Sequence, residues 1–580
     1  MTGPTPDHDR PAAPDVADVA DRYIVALART DVAAADLARR EGIVVGDETS
    51  PVLPALSPDA FDDRSDAARA ALAALAALPR RGDDDTLALV LRERLQAEVD
   101  LVDGGFTESL LAPLATPVDA VRATFDQLPT ETDDDWRHVA DALRRVGGAH
   151  DDYVDTLLRS AGRGHVVSRR QVSGVAARCR RWVDDGFYAS LAGRAPAALR
   201  PVVTEAADAA ARATSRLADD LEQRLLPLAG GSDAVGRERY ELTARAFLGT
   251  TVDLDETYAW GWSELDRIAA EAEQVAAQVG PGGFASVAAR LDSDPATRMD
   301  TGEQIERWLR ERMAGVAETL DGRLLDLPPH PLRLPECRMS TAASGVMYYA
   351  EPDPGLTRPG RVWWTVDPAV GARTWREATT AHHEGVPGHH TQIVTAMTAP
   401  GLHPWQRHLC HVHGHAEGWA HWAEAWCAEV GLLDEPAERL GMLVGQAWRA
   451  SRIVIDMGLH LGLPIPADRR HRTGLAAGAA LGDATAWSYD VAVEFLTAVT
   501  GLGPQMARFE VDRYLGWPAQ ALAFRVGARE VESVRRLARH EAGGAWDERR
   551  FLTALLRLGP MGLGPLRELG SRLAREQAAG

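Results

Sequence analysis

From about Ala17 the apolar positions recur at helical spacing, with Tyr23, Ile24 and Leu27 on one face. Helix starts are marked as well as helix faces. Ser57-Pro58-Asp59 places a hydroxyl cap before a proline at the first helical position and an acid in the first turn, and Thr116-Pro117-Val118-Asp119 repeats the signal. After Asp59 alanine and leucine keep helical spacing to Leu78, and further helices are predicted over 133–147, 168–184, 196–228 and 236–280. The acidic runs Asp83–Asp85 and Asp133–Asp135 stand at helix starts, where carboxylates complement the macrodipole. Helix lengths follow no fixed period, which argues against a solenoid. Almost nothing before residue 330 alternates like a strand.

The pattern changes near residue 327. Leu327-Pro328-Pro329-His330-Pro331 reads as a rigid connector, and 336–350 and 361–367 read as short strands around a Pro/Gly turn. From 372 the helical pattern returns almost to the C-terminus. The expected architecture is therefore mainly α. It has a disordered tail over 1–16, a helical N-terminal lobe over 17–330 and a second helical lobe over 331–576 with a small β-sheet. A chain of 580 residues exceeds what one core usually serves, so two lobes around a deep cleft are expected.

Composition narrows the function classes. A formal net charge of −21 argues against nucleic acid and against an anionic membrane surface. All 63 basic residues are arginine, which removes Schiff-base and lysine-dependent phosphate chemistry. Cys179, Cys337, Cys410 and Cys427 are widely spaced and form no CxxC pair, so they read as buried thiols in a reducing compartment. With no apolar leader run near Met1, the expected location is the cytoplasm. There is no G-x-S-x-G elbow for serine hydrolase chemistry.

The chemistry concentrates in His382-His383-Glu384-Gly385-Val386-Pro387-Gly388-His389-His390. This is not the H-E-x-x-H pattern, because Pro387 occupies the i+4 position after His383. An uninterrupted helix would turn His389 about 120° away from His383. Pro387-Gly388 supplies the break that could bring the two histidines to one ion. Glu417, which opens another predicted helix, completes two histidines and a carboxylate, the ligand set of a catalytic zinc site with one open position. Glu384 then stands where a general base takes the proton of the attacking water. His382 and His390 flank the set and could replace a ligand.

His-Glu-Gly-Val-Pro-Gly-His-His-Thr-Gln (383–392) with Glu-Gly-Trp-Ala (417–420) resembles the bacterial family catalogued as domain of unknown function 885, grouped with gluzincin-type metallopeptidases. Tyr348-Tyr349, the segment Arg452 to His460, and Arg513-Tyr514 with Pro518 to Leu522 fit the same pattern. The resemblance implies a largely helical, zincin-like peptidase fold related to the carboxypeptidase Taq and angiotensin-converting-enzyme types. It also implies one zinc per chain on His383, His389 and Glu417, with Glu384 as base. One departure matters: Phe524 stands where the family pattern has tyrosine, and Ala519 where it has glycine.

Around this set, Tyr514 and His460 are candidates to stabilise an oxyanion. Asp456, four residues before His460, and His421 are candidates to support a ligand. Arg513, Arg452, Tyr349 and Trp364 are candidates to contact substrate, the last from a strand whose edge could pair with an extended peptide. Arg449, Arg452, Arg513 and Arg525 could hold a substrate carboxylate; equally, acidic residues could hold an amino terminus. Trp419, Trp422 and Trp426 have the spacing of a core stripe. The expected partner is a short peptide met by a monomer or homodimer. The reading is a zinc-dependent, metallopeptidase-like hydrolase, or alternatively a catalytically weak or inactive peptide-binding protein on the same scaffold.

Overall fold

A computed structural model describes residues 15–43, 51–79, 86–339, 347–365, 371–470, 475 and 481–579. Most of the expected N-terminal tail, the run Asp83–Asp85, and residues 340–346 and 366–367 of the expected strands lie outside those residues.

The chain is mainly helical, and its helices begin where their caps are written. Ser57 Oγ accepts the Ala60 N–H at 3.2 Å and opens Pro58–Ala77. Thr116 and Asp119 cap Pro117–Gln127, and Thr132 and Asp135 cap each other at the start of the next helix. That helix runs Asp133–Gly162, well past the expected end at 147. Beyond Gly147-Gly148 the residues Tyr153, Val154 and Leu157 continue the buried face of Val139, Leu143 and Val146. Burying that stripe outweighs a cost of about 1 kcal/mol per helical glycine. The predicted 236–280 helix is two, Gly236–Leu248 and Leu254–Val279, because Gly249 turns left-handed (φ +66°) and Asp253 caps the second.

Strands β1 (Glu336–Met339), β2 (Tyr348–Ala350) and β3 (Arg361–Trp364) form one sheet in the order β1-β3-β2. β3 runs parallel to β1 and antiparallel to β2. It is therefore the central strand, with both edges taken, and cannot add a peptide along its length as the sequence suggested. A second, two-stranded pairing joins Arg298–Met299 to Ala372–Arg373, immediately before the histidine stretch.

One buried apolar cluster runs from Val19 to Ala574 and takes in residues on both sides of the 327–331 connector. A second is confined between Leu53 and Leu225, and a third lies under the sheet. Six helices build the site: α1 (Thr374–Glu384), α2 (His389–Thr398), α3 (His413–Glu429), α4 (Pro436–Leu461), α5 (Pro504–Gly516) and α6 (Ala523–Ala542), all but α2 contributing to the largest cluster. Two glycines let these backbones touch. A Cβ on Gly418 of α3 would lie 2.6 Å from the Gly527 Cα of α6, and one on Gly441 of α4 would lie 1.8 Å from the Trp375 carbonyl oxygen of α1. Trp419, Trp422 and Trp426 are buried on α3. All four cysteines are free and buried, and among the described residues no helix is long and apolar enough to cross a membrane.

Candidate metal centre

His383 and Glu384 end α1, and His389 begins α2. Between them Gly385 (φ −104°, ψ −113°) and Gly388 (φ −74°, ψ −130°) take the chain out of helix and back in. The Gly388 N–H donates to the His382 carbonyl at 2.9 Å, and the Trp419 indole of α3 donates to the Pro387 carbonyl at 2.9 Å. The connector is thus tied both to the helix it leaves and to the helix that carries Glu417.

This break brings three donors together. Glu417 Oε2 lies 3.2 Å from His383 Nε2 and 3.5 Å from His389 Nε2, and the two imidazole rings stand edge to face with centroids 4.7 Å apart. One donor atom from each residue falls within 4.8 Å of the others, the only such group of three or more among the described residues. Two imidazoles and a carboxylate suit a divalent ion such as zinc.

Glu424 was not foreseen. Its Oε1 accepts from His383 Nδ1 at 2.7 Å, and its Oε2 accepts from the Thr379 hydroxyl at 2.5 Å. A carboxylate can only accept here, so His383 donates from Nδ1 to Glu424 and presents Nε2 to Glu417. That is the orientation a ligating histidine needs. The signal was present in the sequence: Glu424 is seven residues, two helical turns, beyond Glu417 on α3. Burial would lower His383, but the Glu417 and Glu424 carboxylates raise it to about 10. Both carboxylates are held well below their usual range despite burial, Glu417 by His383 and His389, Glu424 by Arg449, His421 and His383. His383 and the two carboxylates thus stabilise one another's charged forms.

Glu384 is nearly buried, and among the described residues nothing hydrogen-bonds its carboxyl group. Burial pushes it up from the usual range, opposed by His383 and His389.

The flanking histidines are engaged elsewhere. His390 accepts from the Tyr349 hydroxyl at 2.9 Å and donates through Nε2 to the Leu332 carbonyl at 2.8 Å. His382 Nδ1 lies 3.3 Å from Cys427 Sγ, and its Nε2 faces Arg312. Tyr349 therefore positions a neighbour of the cluster. Trp364, expected to contact substrate, is wholly buried with Ile305, Leu309 and Met313 under the sheet, because alternation on β3 turns it to the core side.

Arg452, Arg513 and Tyr514 converge on Glu510 rather than on an open surface. Arg452 Nη2 donates to Glu510 at 2.8 Å, Arg513 Nη1 lies 3.1 Å from it, and the Tyr514 hydroxyl donates to it at 2.7 Å. Burial alone would raise Glu510, but Arg452 and Arg513 bring it down to about 2. This network backs the cluster through Phe524, whose ring lies under the Arg452 guanidinium (4.4 Å) and stacks on His383 at 6.2 Å. His421 donates to Glu424 at 3.2 Å and so touches the cluster at one remove.

Asp456 and His460 form a separate buried knot. His460 Nε2 donates to the Tyr514 carbonyl at 3.0 Å, and Asp456 accepts from the Tyr240 hydroxyl and, at 2.9 Å, from the Ala519 N–H. Neither hydrogen-bonds a residue of the His383–His389–Glu417 group. Burial outweighs the Tyr240, Ala519 and Arg513 contributions and raises Asp456 to about 8. The folded chain therefore holds a proton there that the unfolded chain releases near pH 4. The stability this group contributes is complete in acid and is lost as pH rises from about 4 toward 8, by at most about 1.4 kcal/mol per pH unit. In denaturant unfolding between pH 5 and 8.5, the wild type is expected to lose stability with rising pH relative to Asp456→Asn; an equal slope in both proteins would refute the assignment.

A mainly helical scaffold that gathers a His-His-Glu cluster at a broken helix defines the class of this protein. The chain belongs to the family described as bacterial protein of unknown function (DUF885), whose model matches residues 40–569. The fold is similar to that of several solved structures, two of which illustrate it. One is a "putative lipoprotein" from Colwellia psychrerythraea (TM-score 0.80, 16% identity, covering 97% of this chain and 99% of that one). The other is a "putative lipoprotein of unknown function" from Shewanella oneidensis (TM-score 0.67, 15% identity, 96% and 100%). No curated protein matches.

Proposed function

We propose that this protein is a zinc-dependent, metallopeptidase-like hydrolase of short peptides or related amides. Its site would lie in a cleft between two helical lobes of a zincin-like fold. The observation that carries the reading is the meeting of His383, His389 and Glu417, with Glu384 beside the first and Glu424 orienting it. His383, His389 and Glu417 would hold the ion, which when bound acidifies water and polarises a carbonyl. Glu384 takes the proton of the attacking water and returns it to the leaving amine; its place in a nearly closed, low-dielectric site keeps it basic enough to do so. Glu424 fixes the imidazole of His383, and Phe524 shields one face of that ring from water.

Phe524 also supports the second reading. At the position where the family pattern has a tyrosine, a ring without a hydroxyl stacks on His383, as a peptide-binding protein without turnover would tolerate. Metal analysis comes first, on protein purified without a metal-affinity tag. About one zinc per chain is expected in the wild type, with at least a tenfold loss of affinity in Glu417→Ala. No metal in either protein after zinc is supplied would end the hydrolase reading.

A further inference from the structure

Of the four arginines that could hold a substrate carboxylate, three are spent inside the protein. Arg452 and Arg513 meet Glu510 at 2.8 and 3.1 Å, and Arg525 meets Glu264. Arg449 meets no carboxylate: among the described residues none lies within 4.0 Å of it. Its one hydrogen bond is a long one, from Nη1 to the Gly445 carbonyl at 3.4 Å. Nε and Nη2 have no acceptor, and the side chain is only half-buried.

Arg449 nonetheless stands against the cluster. A Cβ on Gly445, one turn before it on α4, would lie 3.3 Å from Arg449 Nη1, 3.7 Å from Glu424 Oε2 and 3.8 Å from Thr379 Cγ2. The guanidinium therefore rests beside the carboxylate that orients His383 without pairing with it. Its charge acts on Glu424, Glu417 and Glu384. Trp448 and Phe524 flank it, with ring centroids 5.2 and 5.8 Å from Cζ, and Phe524 is the ring that stacks on His383. The cluster's own acceptors are taken: Glu424 by His383, His421 and Thr379, and Glu417 by His383 and His389. A guanidinium presents its donors as a planar fork that matches a carboxylate, so the acceptor this one lacks is supplied from outside the chain.

We propose that Arg449 is a substrate-binding residue that receives a carboxylate, placing an anionic group of the substrate beside the metal cluster. The inference rests on the hydrolase reading and names its substrate class. The carboxylate can come from a peptide's carboxyl terminus or from an acidic side chain. The carboxyl terminus implies cleavage at that end of a short peptide; the side chain implies a preference for acidic residues.

Equilibrium binding separates these without depending on turnover. N-acetyl-leucine, N-acetyl-leucine amide and the α-amides of N-acetyl-glutamate and N-acetyl-glutamine are titrated calorimetrically into zinc-supplied wild type, Arg449→Gln and Arg449→Lys. Circular dichroism and zinc content are measured on each protein. The wild type is expected to favour N-acetyl-leucine over its amide by about tenfold or more, and Arg449→Gln to bring the two within about twofold. Arg449→Lys is expected to fall between, because an ammonium keeps the charge and loses the fork. Preference for the glutamate α-amide over the glutamine one, lost in Arg449→Gln, would assign the carboxylate to a side chain and equally support the proposal. Equal binding of acid and amide ligands by the wild type, or no binding of any, would overturn it. So would a preference that survives in Arg449→Gln, the result expected if zinc alone holds the carboxylate or if Arg449 only balances the charge of Glu424. If Arg449→Gln fails to fold or loses zinc, Arg449→Lys decides, and an undiminished preference there overturns the proposal. If the preference holds and depends on Arg449 while neither acidic peptides nor peptides with free carboxyl termini are cleaved, the hydrolase reading alone fails.

Discussion

Glu384→Gln is expected to keep the metal and lose the reaction. The substitution removes a proton acceptor and leaves shape, burial and the neighbouring ligands in place. Glu384 ends α1 next to His383, and no hydrogen bond among the described residues holds its carboxyl group to the scaffold. Its folding role is therefore small, and burial of an isostere without charge costs less than burial of the acid. General-base removal lowers rates by about a hundred- to ten-thousandfold. The expected outcome is peptide hydrolysis down by about a thousandfold, with zinc content and thermal midpoint unchanged. Full activity with metal bound would remove Glu384 from the mechanism. No turnover in either protein, with equal peptide affinity, would favour the binding-protein reading.

Gly388→Ala is expected to have the larger structural effect. A Cβ there would sit 2.0 Å from the His383 carbonyl oxygen and 2.4 Å from that of His382. Both are backbone atoms at the end of α1, so no side chain can swing aside. The connector must open, and the start of α2 with His389 moves away from Glu417. Overpacking of this kind costs about 1–3 kcal/mol, and zinc affinity is expected to fall by at least about a hundredfold. Gly148→Ala serves as the contrast: nothing lies within 4 Å of its Cβ position, and it sits inside a helix, so stability should rise by up to about 1 kcal/mol. Denaturant unfolding together with zinc titration checks both. Retained zinc affinity in Gly388→Ala would show that the connector does not set the site.

The two variants probe different layers of information. Glu384 could be named from the chain alone, because a carboxylate beside a histidine is a local pattern. The role of Gly388 could only be half named. A helix break was readable from Pro387-Gly388, but the close approach to the His382 and His383 carbonyls arises from where α2 folds back. Glu424 is the intermediate case. Its two-turn spacing from Glu417 was visible, yet nothing local says that α1 lies near enough for His383 Nδ1 to reach it at 2.7 Å.

Misplaced expectations share a cause. Arg452, Arg513 and Tyr514 were read by side-chain chemistry, and that chemistry is spent inside the protein, on Glu510. Trp364 was read from alternation, which tells two faces apart without telling which one is buried. β3 was read as a strand, but whether a strand is central or at an edge depends on partners elsewhere in the chain.

By itself the sequence determined the helical character, the capped helix starts and the grouping of histidines with Glu384, since these rest on contacts within a few residues. The tertiary structure alone decided that helices α1, α2 and α3 meet with three donors inside 4.8 Å and that Glu424 orients one of them. Pairing and burial are properties of residues far apart in the chain, and only the packed core brings those residues within reach.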